Sequence, residues 1–332
     1  MKIRLYPLKF KPILKETVWG GTKLHEMLGK PMETLSNIAE SWELSCVKEN
    51  ISVATNGLLR GKNLSQLLEI YQKDLVGSHV YEKYGNNFPI LLKFIDAKEP
   101  LSIQVHPNDK IAEKKHNSLG KPEMWYIIHA ETDAYIINGF NSKITKDEYV
   151  KAVEENSLEQ HLEKHPVVAG DVFFIPAGRV HAIGAGVMLA EIQQTSDVTY
   201  RIYDYNRLDS NGTPRELHTK QAKRAIDFKI PQTYKSDYKL LKNKAIELVK
   251  SSGFVTSILE IDKPVDRDYK DLDSFVILTS IEGLTAIEFK DGKKENLKTG
   301  ETLLIPAIIH QIMIVPKEKS AKILEIYFLK YN

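Results

Sequence analysis

The spacing of apolar residues changes along the chain and predicts short strands interrupted by a few helices. Apolar residues recur near a helical period over residues 65–84, which predicts one or two helices there. Residues 89–106 contain short apolar and alternating runs, which are typical of strands. Residues 143–165 are charged with apolar positions near helical spacing, so we expect a helix. A β-rich run punctuated by glycines follows at 167–205.

The C-terminal part of the chain reads as a series of short strands separated by turns rich in Gly, Lys and Asp. The strand-like segments are 254–260, 275–278, 284–289, 302–305, 308–315 and 321–328. Many short strands at regular spacing indicate an all-β sandwich or barrel. Residues 170–181 resemble residues 300–310, because each segment has a glycine, an acidic residue, a Pro-Ala pair and a histidine. We interpret this repeat as two similar β-domains in which His310 aligns with His181.

The amino-acid composition of the chain argues against several classes of protein. The chain has 332 residues, a net charge of +2, 42% hydrophobic and 27% charged residues, which fits a globular protein with a sizeable core. The near-neutral charge argues against a nucleic-acid binder, and no stretch approaches the ~18 apolar residues that a membrane helix needs. Lysines at 9, 11 and 15 interrupt the apolar N-terminus, so we expect no signal peptide and a cytoplasmic protein.

The cysteine count restricts the metal chemistry. Cys46 is the single cysteine, which excludes both an intramolecular disulfide framework and a zinc site of several thiolates. A metal ion in this protein must therefore be held by His, carboxylate or amide oxygen.

Three segments supply candidate ligands of this kind. Gln104 and His106 lie two residues apart on an apparent strand and so point to one face, where they could bind one metal ion or simply be solvated. Glu123 enters a strand after Pro122, although taken alone such a residue is more often an ordinary surface residue than a ligand. Residues 170–181 follow the pattern Gly-x5-Pro-x-Gly-x2-His, which resembles the second motif of the cupin superfamily, small β-barrels with a metal in the barrel mouth. Combined, Gln104, His106, Glu123 and His181 suit Zn²⁺, with Mn²⁺ and Fe²⁺ as alternatives.

Several motifs in this order resemble type I mannose-6-phosphate isomerases of the short bacterial branch. They are the segments 104–107, 121–123, 176–181 and 191–201, with 19–22 and 40–43 in addition. The resemblance extends from about residue 15 to about residue 210 and more loosely to the end. It implies a mainly β fold with two cupin-like jelly-roll barrels. The catalytic domain would cover 1–230, including a helical segment at about 60–85, and a degenerate metal-free domain would cover 231–332.

The resemblance also implies roles for individual residues. One Zn²⁺ per chain would be bound by Gln104, His106, Glu123 and His181. The residues at the reacting part of the substrate would be Arg201, Lys121 and Glu191, and those at its phosphate would be Lys93, Ser102 and Arg207. Without the resemblance, Lys93 could end a strand, Ser102 could be an edge residue, and Arg201 could form a structural ion pair with Asp197 or Asp204.

The function implied is the interconversion of mannose 6-phosphate and fructose 6-phosphate through a cis-enediol(ate). The expected partner is then a small sugar phosphate, and we expect binding to neither nucleic acid nor a membrane. The protein would be a monomer or homodimer. The general base stays open between Glu191 and Lys121. The alternatives are a metal-binding cupin that binds a sugar without turnover, an Fe²⁺ cupin oxygenase, and an isomerase for a different phosphorylated sugar. Retention of Lys121, Glu191 and Arg201 disfavours the first, and Gln104 in place of a histidine disfavours the second.

Overall fold

The computed structural model describes residues 2–31, 37–208 and 212–329. The strands are β1 (Leu8–Lys9), β2 (Ile13–Gly21), β3 (Ile38–Leu44), β4 (Cys46–Val47), β5 (Asn50–Ile51), β6 (Ile90–Ala97), β7 (Ile103–Val105), β8 (Glu123–Ala130), β9 (Tyr135–Phe140), β10 (Leu162–Pro166), β11 (Val172–Ile175), β12 (His181–Ile183), β13 (Val187–Gln194), β14 (Tyr200–Tyr203), β15 (Ala245–Lys250), β16 (Val255–Ile261), β17 (Val265–Asp268), β18 (Val276–Glu282), β19 (Thr285–Phe289), β20 (Lys293–Leu297), β21 (Thr302–Ile305), β22 (Gln311–Pro316) and β23 (Ala321–Tyr327). The helices are α1 (Lys23–Leu28), α2 (Leu64–Tyr71), α3 (Lys73–Val76), α4 (Ser78–Tyr84), α5 (Asp109–His116), α6 (Lys146–Glu154) and α7 (Thr219–Ala225). None of these helices is long and apolar enough to cross a membrane.

The strands form two sandwiches of antiparallel sheets, which confirms the mainly β fold class. In the first sandwich, a six-stranded sheet in the order β11-β8-β13-β6-β3-β2 accompanies a five-stranded sheet in the order β10-β9-β12-β7-β14. In the second, the sheets are β1-β21-β18-β23-β16-β15 and β17-β22-β19-β20. Because β1 pairs with β21, the second sandwich takes one strand from the N-terminal segment. The division of the chain into 1–230 and 231–332 stays a prediction.

The strand orders reveal the internal repeat. The series β11-β8-β13-β6-β3 corresponds to β21-β18-β23-β16-β15, and β10-β9-β12-β7 corresponds to β20-β19-β22-β17. The register corrects one detail of the sequence alignment. His181 lies opposite Gln104, whereas Gln311 lies opposite Asp268, so Gln311 takes the position of His181. His310 precedes the strand and is exposed. Gln311 follows Pro306 by five residues, as His181 follows Pro176, so the match of His310 to His181 was one residue out of register.

Both outer faces of the first sandwich are covered by apolar contacts. On the six-stranded sheet, Leu92 and Phe94 belong to one buried cluster that includes α2–α4 and Leu324 of the second sandwich. On the five-stranded sheet, Ile103 and Val105 pack in a cluster with residues of α6 and α7. The inner faces share an apolar cluster of their own, leaving the polar inward residues to one region of the interior.

The helix expected at 143–165 is shorter in the structure. Thr145 and Glu148 form a capping box that starts α6, and Asn156 adopts a φ of +53°, which ends the helical path. Leu162–Pro166 is instead strand β10, paired with β9. Pairing with a sheet edge outweighs the local helical spacing in this segment.

Candidate active site

The first sandwich places one row of polar side chains across its five-stranded sheet. His181 on β12 lies directly opposite Gln104 on β7, and Gln104 lies directly opposite Arg201 on β14. Directly opposed residues of neighbouring strands point to the same face of a sheet. His106 follows β7, and Glu123 begins β8 in the other sheet, so the two sheets bring their polar groups together.

Gly178 allows the tight turn before His181, as the cupin-like motif suggested. Gly178 has a φ of +90°, a conformation that L side chains rarely adopt. Its N–H donates to the carbonyl of His106 at 2.8 Å, and a Cβ at this position would lie 2.9 Å from the carbonyl oxygen of Ala225. The turn therefore ties the His181 segment to His106.

His106, Glu123 and His181 form a compact, fully buried group of potential metal ligands. The Nε2 atoms of the two histidines are 3.1 Å apart. Glu123 Oε1 lies 3.1 Å from His106 Nε2, and its Oε2 lies 3.8 Å from His181 Nε2. In a tetrahedral zinc site with ~2.0–2.2 Å bonds, ligand atoms are about 3.4 Å apart. The spacing of the three side chains fits one small divalent ion.

The Nδ1 hydrogen bonds of the two histidines leave both Nε2 atoms unprotonated and able to bind a metal. His106 Nδ1 lies 3.1 Å from the carbonyl oxygen of Val198, and His181 Nδ1 lies 2.8 Å from that of Arg179. A carbonyl accepts only from a protonated nitrogen, so the proton sits on Nδ1. Burial lowers the pKa of His106 to about 3, an effect to which Lys121 adds, and burial also lowers the pKa of His181. Both imidazoles are therefore neutral, as metal ligands must be.

Glu123 supplies the negative charge of the group. Burial alone would raise its pKa, but the positive charge of Lys121 outweighs burial and holds the pKa of this carboxyl well below its usual range. The Lys121 ammonium lies 3.2 Å from Oε1. Neither carboxylate oxygen accepts a hydrogen bond within the described part of the chain. A buried carboxylate without hydrogen bonds is costly, and a bound cation removes that cost.

Gln104 offers a fourth donor beside the three. Its Nε2 lies 3.3 Å from His181 Nε2. Rotating the amide by 180° exchanges oxygen and nitrogen without changing its shape, which would turn the Oε1 atom toward the same point. The amide, the two imidazoles and the carboxylate fit a resident divalent metal and contain no thiolate, as the single Cys46 requires.

A second polar cluster lies on the inner face of the six-stranded sheet. Lys93, Glu191 and Trp125 are directly opposed on β6, β13 and β8. Lys93 Nζ lies 3.1 Å from Glu191 Oε1, and Trp125 Nε1 donates to Glu191 Oε2 at 3.1 Å. Burial, with Glu123 nearby, raises the pKa of Glu191 to about 6. The lysine is 3.4 Å from Glu40.

Lys93 keeps its positive charge in this cluster. Burial alone would lower its pKa, but the carboxylates of Glu40 and Glu191 outweigh burial and raise it. Ser102 is buried just before β7. Lys93 and Glu191 both lie in the first sandwich, and their roles stay predictions, while the sequence did not assign a role to Glu40 or Trp125. Glu40 lies two residues before Trp42, and Trp125 lies two residues after Glu123. Because side chains two residues apart on a strand point to the same face, this spacing was the signal that could have found them.

Asp204 is not the ion-pair partner of Arg201 that the sequence left as an alternative to an active-site role. Arg201 Nη1 donates to the carbonyl of Glu216 at 3.0 Å. The Asp204 carboxylate is bound by Arg207 and Arg215 rather than by Arg201. Arg207 also donates to the carbonyl of Pro100 at 2.6 Å. Arg215 was not identified from the sequence, because only the fold brings it to Asp204.

Comparisons with known proteins agree with this geometry. Residues 7–122 match the family model of the phosphomannose isomerase type I catalytic domain. Mannose-6-phosphate isomerase ManA of Bacillus subtilis is 42% identical over 230 residues, which cover 69% of this chain and 70% of that protein. The chain belongs to the type I mannose-6-phosphate isomerase family. The resemblance drawn from the sequence motifs is therefore confirmed.

Two further relatives of the isomerase family extend the match. The mannose-6-phosphate isomerase of Streptococcus mutans is 35% identical over 256 residues, covering 75% of this chain and 77% of that protein. A crystal structure of the mannose 6-phosphate isomerase from Bacillus subtilis has a TM-score of 0.87 and 32% identity, covering 96% of this chain and 99% of that chain. The similarity includes both sandwiches, and it supports the cupin-like fold expected from the sequence.

Proposed function

We propose that the protein interconverts mannose 6-phosphate and fructose 6-phosphate by moving a proton between C2 and C1. The observation that carries this proposal is the buried His106–Glu123–His181 group with a second carboxylate, Glu191, in the same interior. An aldose–ketose isomerase needs a base for the proton and positive charge for the developing enediolate oxygen. This interior supplies both.

The metal in this proposal is one Zn²⁺ held by Gln104, His106, Glu123 and His181. When bound, it would act as a Lewis acid that stabilises negative charge on the substrate oxygens. The Lys121 ammonium, 3.2 Å from Glu123, adds positive charge beside these ligands. Arg201 lies opposite Gln104 on the neighbouring strand and would place its guanidinium against the enediolate.

Phosphate binding in this proposal depends on positive charge around the interior. Lys93 and Ser102 are both buried in the first sandwich and would contact the phosphate. Arg207 would contribute charge, although its three guanidinium nitrogens already donate to Asp204 and Pro100. Fixing the phosphate sets the distance of C1 and C2 from the base.

Glu191 is the proposed base. Its two oxygens are oriented by Lys93 and by the indole N–H of Trp125, so the carboxylate has a fixed direction. A carboxyl pKa of about 6 leaves it ionised at neutral pH yet basic enough to accept a carbon-bound proton. Lys121 is bound to the carboxylate of Glu123, which makes it suited to electrostatic stabilisation.

The pH dependence of the reaction follows from this assignment. Because Glu191 must be ionised to accept a proton, kcat/KM should fall as the pH drops through about 6. A bound divalent cation favours the carboxylate and would move the midpoint to lower pH. We expect Glu191→Gln to lower kcat about 10²–10⁴-fold and to abolish this acid limb. A variant of full activity with the same profile would assign the base elsewhere, with Lys121→Met as the next variant.

An assay of isomerisation tests the function itself. The protein is incubated with mannose 6-phosphate, and fructose 6-phosphate is measured through a coupled enzyme, with glucose 6-phosphate as the control substrate. We expect turnover of mannose 6-phosphate. Binding of the sugar phosphate without turnover would instead identify a binding protein. The monomer or homodimer state and the cytoplasmic location stay predictions.

A further inference from the structure

A buried carboxylate beside Arg201 has no part in the mechanism proposed above. Asp204 follows β14, and its side chain is only 4% exposed. It accepts hydrogen bonds from Arg215 Nε and Nη2 at 2.6 Å each, and from Arg207 Nη2 at 2.6 Å. Paired hydrogen bonds between a guanidinium and a carboxylate are strong and directional. Asp204 thus joins two parts of the chain.

The first connection runs through Arg215 to Arg201. Residues 215–218 lie along β14, which is the edge strand of its sheet. The N–H of His218 donates to the carbonyl of Arg201 at 2.6 Å, and the N–H of Arg201 donates to His218 Nδ1 at 3.3 Å. The Arg201 guanidinium donates to the carbonyl of Glu216 at 3.0 Å. The segment anchored by Arg215 therefore holds both the main chain and the side chain of Arg201.

The second connection runs through Arg207 to β7. Arg207 Nη1 donates to the carbonyl of Pro100 at 2.6 Å, two residues before Ser102. The turn between Asp204 and Arg207 has an uncommon backbone conformation, in which Tyr205 and Asn206 have φ values of +53° and +55°. A tyrosine rarely adopts a left-handed conformation without surrounding contacts that enforce it.

We propose that Asp204 is a positioning residue that, through Arg215, fixes the Arg201 guanidinium against the substrate. This inference rests on the proposed function, since it concerns the same reaction. Without the carboxylate, the side chains of Arg207 and Arg215 would lose their common partner and would repel each other and Arg201. The segment 215–218 would then lose its anchor, and Arg201 would lose its fixed direction.

The test compares kcat and KM of Asp204→Asn with those of the wild type, per folded and metal-loaded molecule. Asparagine keeps the shape of the side chain and removes its charge. We expect kcat to fall about 100-fold, the effect of a misplacement of about 1 Å, while metal content is retained. Arg215→Ala should show the same loss, and Arg215→Lys should recover part of kcat because it restores the ion pair. A merely structural role would lower the melting temperature without this graded recovery.

Glu325→Gln is the matched control. Glu325 is a buried carboxylate in the second sandwich that also accepts two hydrogen bonds from one arginine, Arg267. It should lower stability while leaving the kcat of folded molecules unchanged. The proposal is overturned if Asp204→Asn keeps full kcat, or if Arg215→Ala and Arg215→Lys are equally active. If Asp204→Asn does not fold, the two Arg215 variants decide. Absence of turnover in the wild type would instead refute the proposed function.

Discussion

Replacing Arg201 with alanine is expected to lower kcat about 10³-fold while the bound metal is retained. Arg201 lies opposite Gln104 across β14 and β7, and it is not one of the buried His106–Glu123–His181 ligands. Loss of one group that stabilises a developing oxyanion costs about 10²–10³-fold in kcat. We expect a loss near 10³-fold, since a full positive charge is removed.

Three measurements are needed for this variant: kcat, metal content and the circular dichroism spectrum. The exposed Arg60 provides a matched control, because Arg60→Ala removes the same charge from the surface. Near-normal turnover by Arg201→Ala would show that the assigned role is wrong. Loss of the metal together with activity would show instead that Arg201 stabilises the metal site.

Replacing His106 with alanine is expected to remove metal and activity together. His106 Nε2 lies 3.1 Å from both Glu123 Oε1 and His181 Nε2, so its imidazole is one of the three central donors. Loss of a group that merely orients a ligand costs 10–100-fold in metal affinity, so loss of a ligand should cost more than about 100-fold. The readouts are elemental analysis of the purified protein and the rate of isomerisation.

His25→Ala is the control for this experiment, because His25 is exposed and donates to the carbonyl of Lys30, outside the ligand group. It should keep full metal content and activity. A metal-free His106→Ala protein that still turns over substrate would refute a metal-dependent reaction.

The candidate metal ligands could be predicted from sequence because their chemistry is local. Gln104 on β7 and His106 just after it lie two residues apart, and the turn at Gly178 leads into His181, which lies opposite Gln104. The partners of these groups are not local. Nothing in the spacing of residues shows that Trp125 would donate to Glu191, or that Arg215 would reach Asp204. Such contacts depend on the pairing of distant strands and on the path of the loops.

The fold was predictable to a similar extent. The alternation of apolar residues indicated short strands and the helices of 65–84, and the repeated Pro-Ala segments indicated two related β-domains. The strand Leu162–Pro166 was missed because its apolar spacing resembles a helix, and only pairing with β9 decides its conformation. The contribution of β1 to the second sandwich was also unpredictable, since it joins residues 8–9 to residues 303–304.

The most direct test of a metal-dependent isomerisation measures turnover of mannose 6-phosphate and metal content in the same samples. A chelator removes the metal in steps, and Zn²⁺ is then added back to the stripped protein. We expect the rate to fall in proportion to bound metal and to return at one Zn²⁺ per chain. Full turnover in protein stripped of metal, or recovered metal without recovered turnover, would contradict it.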